Sequence, residues 1–193
     1  MKDLLPGNDG LEKQIEDTDA LFIDFDKDGD NDLYIVAGSN EGKEGSEAYQ
    51  DQLFINDGKG NFSKSINILP KFLKSGSCVR ASDYDRDGDL DLFIGTKLVP
   101  NEYPKPATSY ILRNNFPNKT FTNVTQKIAP ALVNIGLIYD ASWADFDGDG
   151  WQDLVLAGEW MPVTFLKNDK GAFKIVNEST GISNYLEIGR AHV

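Results

Sequence analysis

Asp24-Phe25-Asp26-Lys27-Asp28-Gly29-Asp30-Asn31-Asp32-Leu33 decides how this chain is read, because the stretch recurs twice. The second copy is Asp83-Tyr84-Asp85-Arg86-Asp87-Gly88-Asp89-Leu90-Asp91-Leu92, and the third is Asp145-Phe146-Asp147-Gly148-Asp149-Gly150-Trp151-Gln152-Asp153-Leu154. Every copy places Asp at positions 1, 3, 5 and 9, an aromatic at 2, Gly at 6 and Leu at 10. Carboxylates this crowded repel one another unless a hard cation lies among them. Ca²⁺, which takes about six to eight oxygen ligands at flexible geometry, is the natural candidate.

The similarity extends outward from the loops. Before each lies a short apolar or small-residue stretch: Ala20-Leu21-Phe22-Ile23, Val79-Arg80-Ala81-Ser82 and Ala141-Ser142-Trp143-Ala144. After each comes a run ending in Gly: Leu33 to Gly38, Leu92 to Gly95 and Leu154 to Gly158. Continuous β-branched and aromatic runs of this length suit strands buried on both faces. A third segment follows at Leu53, Tyr110 and Thr164, then a polar turn, then a fourth at Phe62, Phe121 or Phe173. Asn56-Asp57-Gly58-Lys59-Gly60 is a hairpin signal, since Asn and Gly tolerate the positive φ of tight turns.

The unit is therefore four strands, repeated about every sixty residues. A four-stranded unit cannot bury both faces alone and must stack on its neighbours. The expected fold is all-β: a β-propeller segment of about three four-stranded blades, with the aspartate loop joining strands one and two of each. Blades are expected at 20–78, 79–140 and 141–187, after a lead-in (or the end of a preceding blade) at 1–19. A closed ring takes about four to eight blades, so further blades are expected in a longer chain. Residues 188–193, Ile-Gly-Arg-Ala-His-Val, resemble a reading frame of a sequencing adapter. The one His, His192, falls in that tail and is given no functional weight.

Within a loop, carboxylates at positions 1, 3 and 5 converge only if the backbone coils tightly, which Gly at 6 permits. Position 7 offers its backbone carbonyl and Asp at 9 closes the shell. The third copy has Trp151 at position 7, without a side-chain oxygen, so Asp30 and Asp89 are also expected to use the backbone. The expected ligands are Asp24, Asp26, Asp28, Asp30 (backbone) and Asp32; Asp83, Asp85, Asp87, Asp89 (backbone) and Asp91; and Asp145, Asp147, Asp149, Trp151 (backbone) and Asp153. About three Ca²⁺ would be held. Position 12 is Ile35, Ile94 or Leu156 rather than the bidentate Glu of an EF-hand. Mg²⁺, a catalytic carboxylate pair and unfilled acidic turns remain as alternatives.

Composition agrees with a calcium protein. The formal charge of −12 repels nucleic acid and anionic membranes, yet nearly half of the 31 Asp and Glu residues sit in the three loops. Cys78 is the only cysteine, so no intrachain disulfide forms, and it reads as a small buried strand residue. No run has the length of a transmembrane helix. The first residues show no signal-peptide stretch, so either the protein is not secreted or its native start lies further upstream.

The pattern Asp-aromatic-Asp-x-Asp-Gly-x-x-Asp-Leu, followed by a β run and Gly, resembles the FG-GAP or VCBS-type repeat of integrin α-subunit-like propellers. Among its branches the chain is most similar to bacterial surface or secreted repeat proteins, including those resembling cartilage acidic protein. The resemblance implies Ca²⁺ in each loop, a place outside the cytoplasm (extracellular, cell-surface or periplasmic), and adhesion or recognition of a protein or glycan rather than catalysis. Loops between strands two and three emerge opposite the aspartate loops and differ among the copies, which makes them the place for recognition. Tyr49, Tyr103 and Trp160 are the aromatic candidates there. The competing readings are blade-end packing for these aromatics, and a calcium-dependent polysaccharide-active enzyme whose catalytic residues lie in further blades. Against an enzyme, the chain has no Gly-x-Ser-x-Gly elbow, phosphate loop or zinc motif.

Overall fold

The computed structural model describes residues 16–181. The lead-in before Glu16, the end of the third expected blade beyond residue 181, and the 188–193 tail with His192 lie outside the described residues.

Three antiparallel sheets follow one another along the chain, each a four-stranded meander in sequence order. The first holds β1 (Glu16–Ile23), β2 (Asp32–Gly38), β3 (Gln52–Asn56) and β4 (Phe62–Lys64). The second holds β5 (Ser75–Ser82), β6 (Asp91–Leu98), β7 (Tyr110–Asn114) and β8 (Phe121–Asn123). The third holds β9 (Leu137–Ala144), β10 (Asp153–Glu159), β11 (Thr164–Asp169) and β12 (Ala172–Ile175). Helix among the described residues is limited to one turn, α1 (Thr125–Ile128), and three short 3-10 turns. None is long and apolar enough to cross a membrane. The chain is all-β, a propeller-like segment of three blades.

Each sheet begins a few residues before the repeat becomes visible in sequence, at Glu16, Ser75 and Leu137. The reason is a bulge at the same place in all three. Thr18, Ser77 and Tyr139 are each an extra residue in the first strand, between the pairs Asp17↔Ala37 and Asp19↔Val36, Gly76↔Thr96 and Cys78↔Gly95, and Ile138↔Gly158 and Asp140↔Ala157. A bulge reverses which side chains face the core, so the alternation breaks there and the strand reads as shorter than it is.

Two cores lie between the sheets. Val36, Tyr34, Leu53 and Ile23 of the first sheet pack against Val79, Leu92, Ile94 and Leu112 of the second. The other face of the second sheet, with Cys78, Phe93 and Ile111, packs against Ile138, Ala141, Leu154, Leu156 and Leu166 of the third. The middle sheet is thus covered on both faces, and the first six residues of β6 are all buried. The closest approach requires glycine. A Cβ on Gly38 would lie 2.1 Å from the Gly76 carbonyl oxygen, and one on Gly76 would lie 2.3 Å from a Val36 methyl.

Neighbouring sheets are also tied at the aspartate loops. Phe25 of the first loop packs on Phe121 of β8, and Tyr84 of the second packs on Phe173 of β12. The Asn114 amide donates to the Phe25 carbonyl at 2.7 Å, and the Asn168 amide to the Tyr84 carbonyl at 2.8 Å. Each of these two loops is therefore gripped by the last two strands of the next sheet. On the inner strands, Arg80 of β5 joins Asp19 of β1 at 2.7 Å and also pairs with Asp140 of β9.

Candidate metal centres

All three loops follow one backbone path, with two left-handed residues set two apart. Position 6 is Gly29, Gly88 or Gly150, at φ 95°, 89° and 88°. Position 4 is also left-handed: Lys27 at 57°, Arg86 at 61° and Gly148 at 74°. The carboxylate at position 1 holds this coil by accepting from backbone N–H groups further along. Asp24 accepts from Asp28 and Gly29, Asp83 from Gly88, and Asp145 from Gly148, Asp149 and Gly150. Position 9 opens the second strand and is buried in all three loops. One oxygen of Asp32, Asp91 and Asp153 accepts from the N–H of Asn56, Asn114 and Asn168, at 2.9, 2.8 and 2.7 Å.

Carboxylate oxygens converge in every loop. Asp24, Asp26 and Asp28 form one group, Asp83, Asp85 and Asp91 a second, and Asp145, Asp147 and Asp153 a third, with the ligand oxygens of each within 4.8 Å of one another. Positions 1 and 3 take part throughout; Asp32, Asp87 and Asp149 stand outside these three-residue groups. Several oxygens are buried without a hydrogen-bond partner: Asp26 Oδ1, Asp30 Oδ1 and Asp32 Oδ2 in the first loop, and one each from Asp83, Asp85, Asp89 and Asp91 in the second. A buried carboxylate oxygen left unpaired is costly. Asp30 and Asp89, expected to serve through the backbone, are among those holding such an oxygen.

The electrostatics follow from this crowding. Burial, followed by repulsion from neighbouring aspartates, pushes Asp32 up to about 6 and Asp91 up to about 8, against backbone hydrogen bonds that lower both. Burial likewise raises Asp89 to about 6. The donors are all oxygen and carry formal charge in excess, which fits a hard divalent cation and not a thiolate- or imidazole-seeking metal. Lysines approach two of the loops: Lys119 Nζ lies 2.7 Å from Asp26, while Lys167 pairs with Asp147 and lies 2.8 Å from Asp149.

Residues 24–94 match the family model of the FG-GAP-like repeat, a span that opens at the first aspartate loop and ends inside β6. This stretch is an FG-GAP-like repeat. It contains both the first and the second loop, and the third loop repeats their backbone outside it. No curated protein matches the chain.

Of the three aromatics expected at the far end of the blades, Tyr49 is corrected. It is fully buried, and its hydroxyl donates to the Ser39 carbonyl and accepts from the Gly42 N–H, both at 3.1 Å. The ring fills the inside of its own long loop, which needs an apolar anchor to stay closed. Tyr103 and Trp160 are exposed and do come together, the Trp160 indole N–H donating to the Tyr103 hydroxyl at 2.8 Å. Glu159 and Tyr139 complete this group. Tyr139 gave no signal in the sequence because it is the bulge residue of β9 and breaks the strand's alternation.

Proposed function

We propose that this chain is a calcium-stabilised stretch of β-propeller that serves recognition outside the cytoplasm and is not itself an enzyme. The observation that carries this reading is the convergence of carboxylates in three loops of one repeated geometry, with buried, unpartnered oxygens in the first two. Asp24, Asp26, Asp28 and Asp32, with their counterparts in the second and third loops, would hold the ion, together with the position 7 carbonyls of Asp30, Asp89 and Trp151. Bound Ca²⁺ would cancel the mutual repulsion of the aspartates and fix where each second strand leaves the first. Metal that binds only the folded state adds stability by mass action.

Further blades are part of the proposal. Phe22, Leu33, Ile35, Phe54 and Phe62 share the outer face of the first sheet, and Phe22 is 61% exposed. On the other side, Phe146 occupies the loop position at which Phe25 and Tyr84 are buried by the next sheet, yet it rests on Phe165 of its own sheet. Asn56 matches Asn114 and Asn168 in its other bonds and bonds to Asn31 of its own loop. The first sheet thus offers a Phe and an Asn, and the third a loop aromatic, as the halves of the contacts that join neighbouring blades.

The test is thermal unfolding of the chain by circular dichroism, in chelator, in millimolar Mg²⁺ and in millimolar Ca²⁺. A rise in melting temperature with Ca²⁺ that chelator reverses and Mg²⁺ does not reproduce is expected. A folded protein whose melting temperature ignores Ca²⁺ overturns the proposal.

A further inference from the structure

At the end of the sheets opposite the aspartate loops, three segments bring together one carboxylate and three aromatic rings. Tyr103 lies in the loop after β6, Tyr139 in β9, and Glu159 with Trp160 at the end of β10. The Tyr103 hydroxyl donates to Glu159 Oε1 at 2.6 Å and the Tyr139 hydroxyl to Oε2 at 2.8 Å. The residues Tyr103, Tyr139 and Trp160 are 53%, 49% and 57% exposed. We propose that this cluster is a binding site for a neutral carbohydrate, with the rings as stacking platforms and Glu159 as the acceptor of sugar hydroxyls. The site supplies a ligand class for the recognition reading above and rests on that reading.

Four observations support it. The polar ends of the rings are satisfied by one another and by Glu159, so a ligand covering the ring faces strands no donor. Each carboxylate oxygen keeps lone pairs beyond the bond it receives, available to a hydroxyl. The charge suits an uncharged ligand: Lys97 Nζ lies 5.5 Å from the Tyr139 ring centroid and faces the single negative charge of Glu159. A cationic ligand would meet Lys97, and an anionic one Glu159.

Backbone geometry is the fourth. Trp160 sits at φ 59°, a left-handed conformation unfavourable to a bulky residue, and holds its ring in solvent while doing so. Tyr139 is turned outward by the β9 bulge. At the same bulge position in the first sheet, Thr18 instead bonds the Val36 and Gly76 carbonyls and helps join two sheets. Packing within the described residues calls for neither an exposed Trp160 nor an outward Tyr139.

Affinity electrophoresis of the full chain in calcium, through gels containing dextran, mannan, galactomannan, xylan or polygalacturonate, tests the site. Retardation by at least one of the four neutral polymers is expected. Tyr103→Ala and Trp160→Gly should weaken it about tenfold or more, and Ile175→Ser, exposed elsewhere, should not change it. Trp160→Gly also relieves the left-handed strain, so its melting temperature should hold or rise; a tether between loops would instead lose stability. Retardation by polygalacturonate alone, by no polymer, or equally in the Trp160→Gly protein overturns the proposal. The calcium reading is judged separately by the melting experiment, so a protein stabilised by Ca²⁺ yet unretarded loses only the carbohydrate site.

Discussion

In the second aspartate loop one oxygen of the closing residue, Asp91, is buried without a partner, as is that of Asp32 in the first. In the third loop the matching oxygen of Asp153 accepts from the Phe146 N–H at 3.2 Å. The difference runs through the whole loop. Asp145 accepts three N–H groups, Lys167 spans Asp147 and Asp149, and no third-loop carboxylate oxygen is left buried and unpaired. The strand residue that becomes Lys167 here is Ile55 in the first sheet and Arg113 in the second. One backbone path thus supports two electrostatic solutions. In the third loop one ammonium spans two aspartates, whereas in the first Lys119 reaches Asp26 alone and buried carboxylate oxygens stay unpaired.

The largest expected effect sets a baseline for that comparison, from a carboxylate that no cation reaches. Asp51 is buried in the first sheet, where it accepts from the Tyr34 hydroxyl and the Ala37 N–H, both at 2.8 Å. Burial pushes it up to about 7 from a usual 3.8, against the lowering effect of those two bonds, with Asp17 adding a further rise. The folded value lies above the unfolded one. Its contribution to stability is therefore complete below pH 3.8 and is lost as pH climbs through about 7. In urea titrations at saturating calcium, which keeps the loop aspartates ionised, stability should fall on the order of 2 kcal/mol between about pH 5 and 8, and Asp51→Asn should flatten most of that slope. The slope of the parent protein should survive saturating calcium. If calcium abolishes it, the loop aspartates and not Asp51 carry it.

Next in size is the lysine. Lys167→Met removes the ammonium from the third loop and leaves Asp147 and Asp149 as exposed to each other as the aspartates of the first two. Calcium titration by calorimetry should then show the third loop binding about tenfold more tightly, equivalent to ~1.4 kcal/mol. In chelator the variant should melt below the parent. Unchanged affinity with three equal sites in the parent would erase the distinction between the loops.

What was legible in the sequence were the features that repeat in register: aspartates, the position 6 glycine, the position 2 aromatic and the strand runs that gave four strands per blade. Features that act between blades were hidden. Asn114 and Asn168 stand at the end of a readable strand, but their partners, the Phe25 and Tyr84 carbonyls, lie nearly ninety residues away and carry no side-chain signature. The bulges at Thr18, Ser77 and Tyr139 were hidden for another reason, since three unlike residues occupy one structural place. Tyr49 looked like a surface residue because it lies in a charged loop, and only the folded loop shows that it closes upon that ring.

The smallest effect concerns position 4, where the third copy alone holds a glycine. Lys27 and Arg86 bear the left-handed conformation there and reach the following turn or loop: Lys27 lies 4.5 Å from the Phe116 ring centroid, and Arg86 4.5 Å from that of Trp151. Gly148 has no such reach, and a Cβ added to it meets nothing within 4 Å. Gly148→Ala therefore changes only backbone preference, and should cost about 1 kcal/mol. Lys27→Ala keeps the strained backbone and loses a partly exposed cation–ring contact, so its cost should stay near ~0.5 kcal/mol. Unfolding both variants in chelator compares them without the metal. If Gly148→Ala is neutral while Lys27→Ala is costly, side-chain contact rather than φ governs the loop's fourth position, and the third loop would be the weaker structure as well as the self-neutralised one.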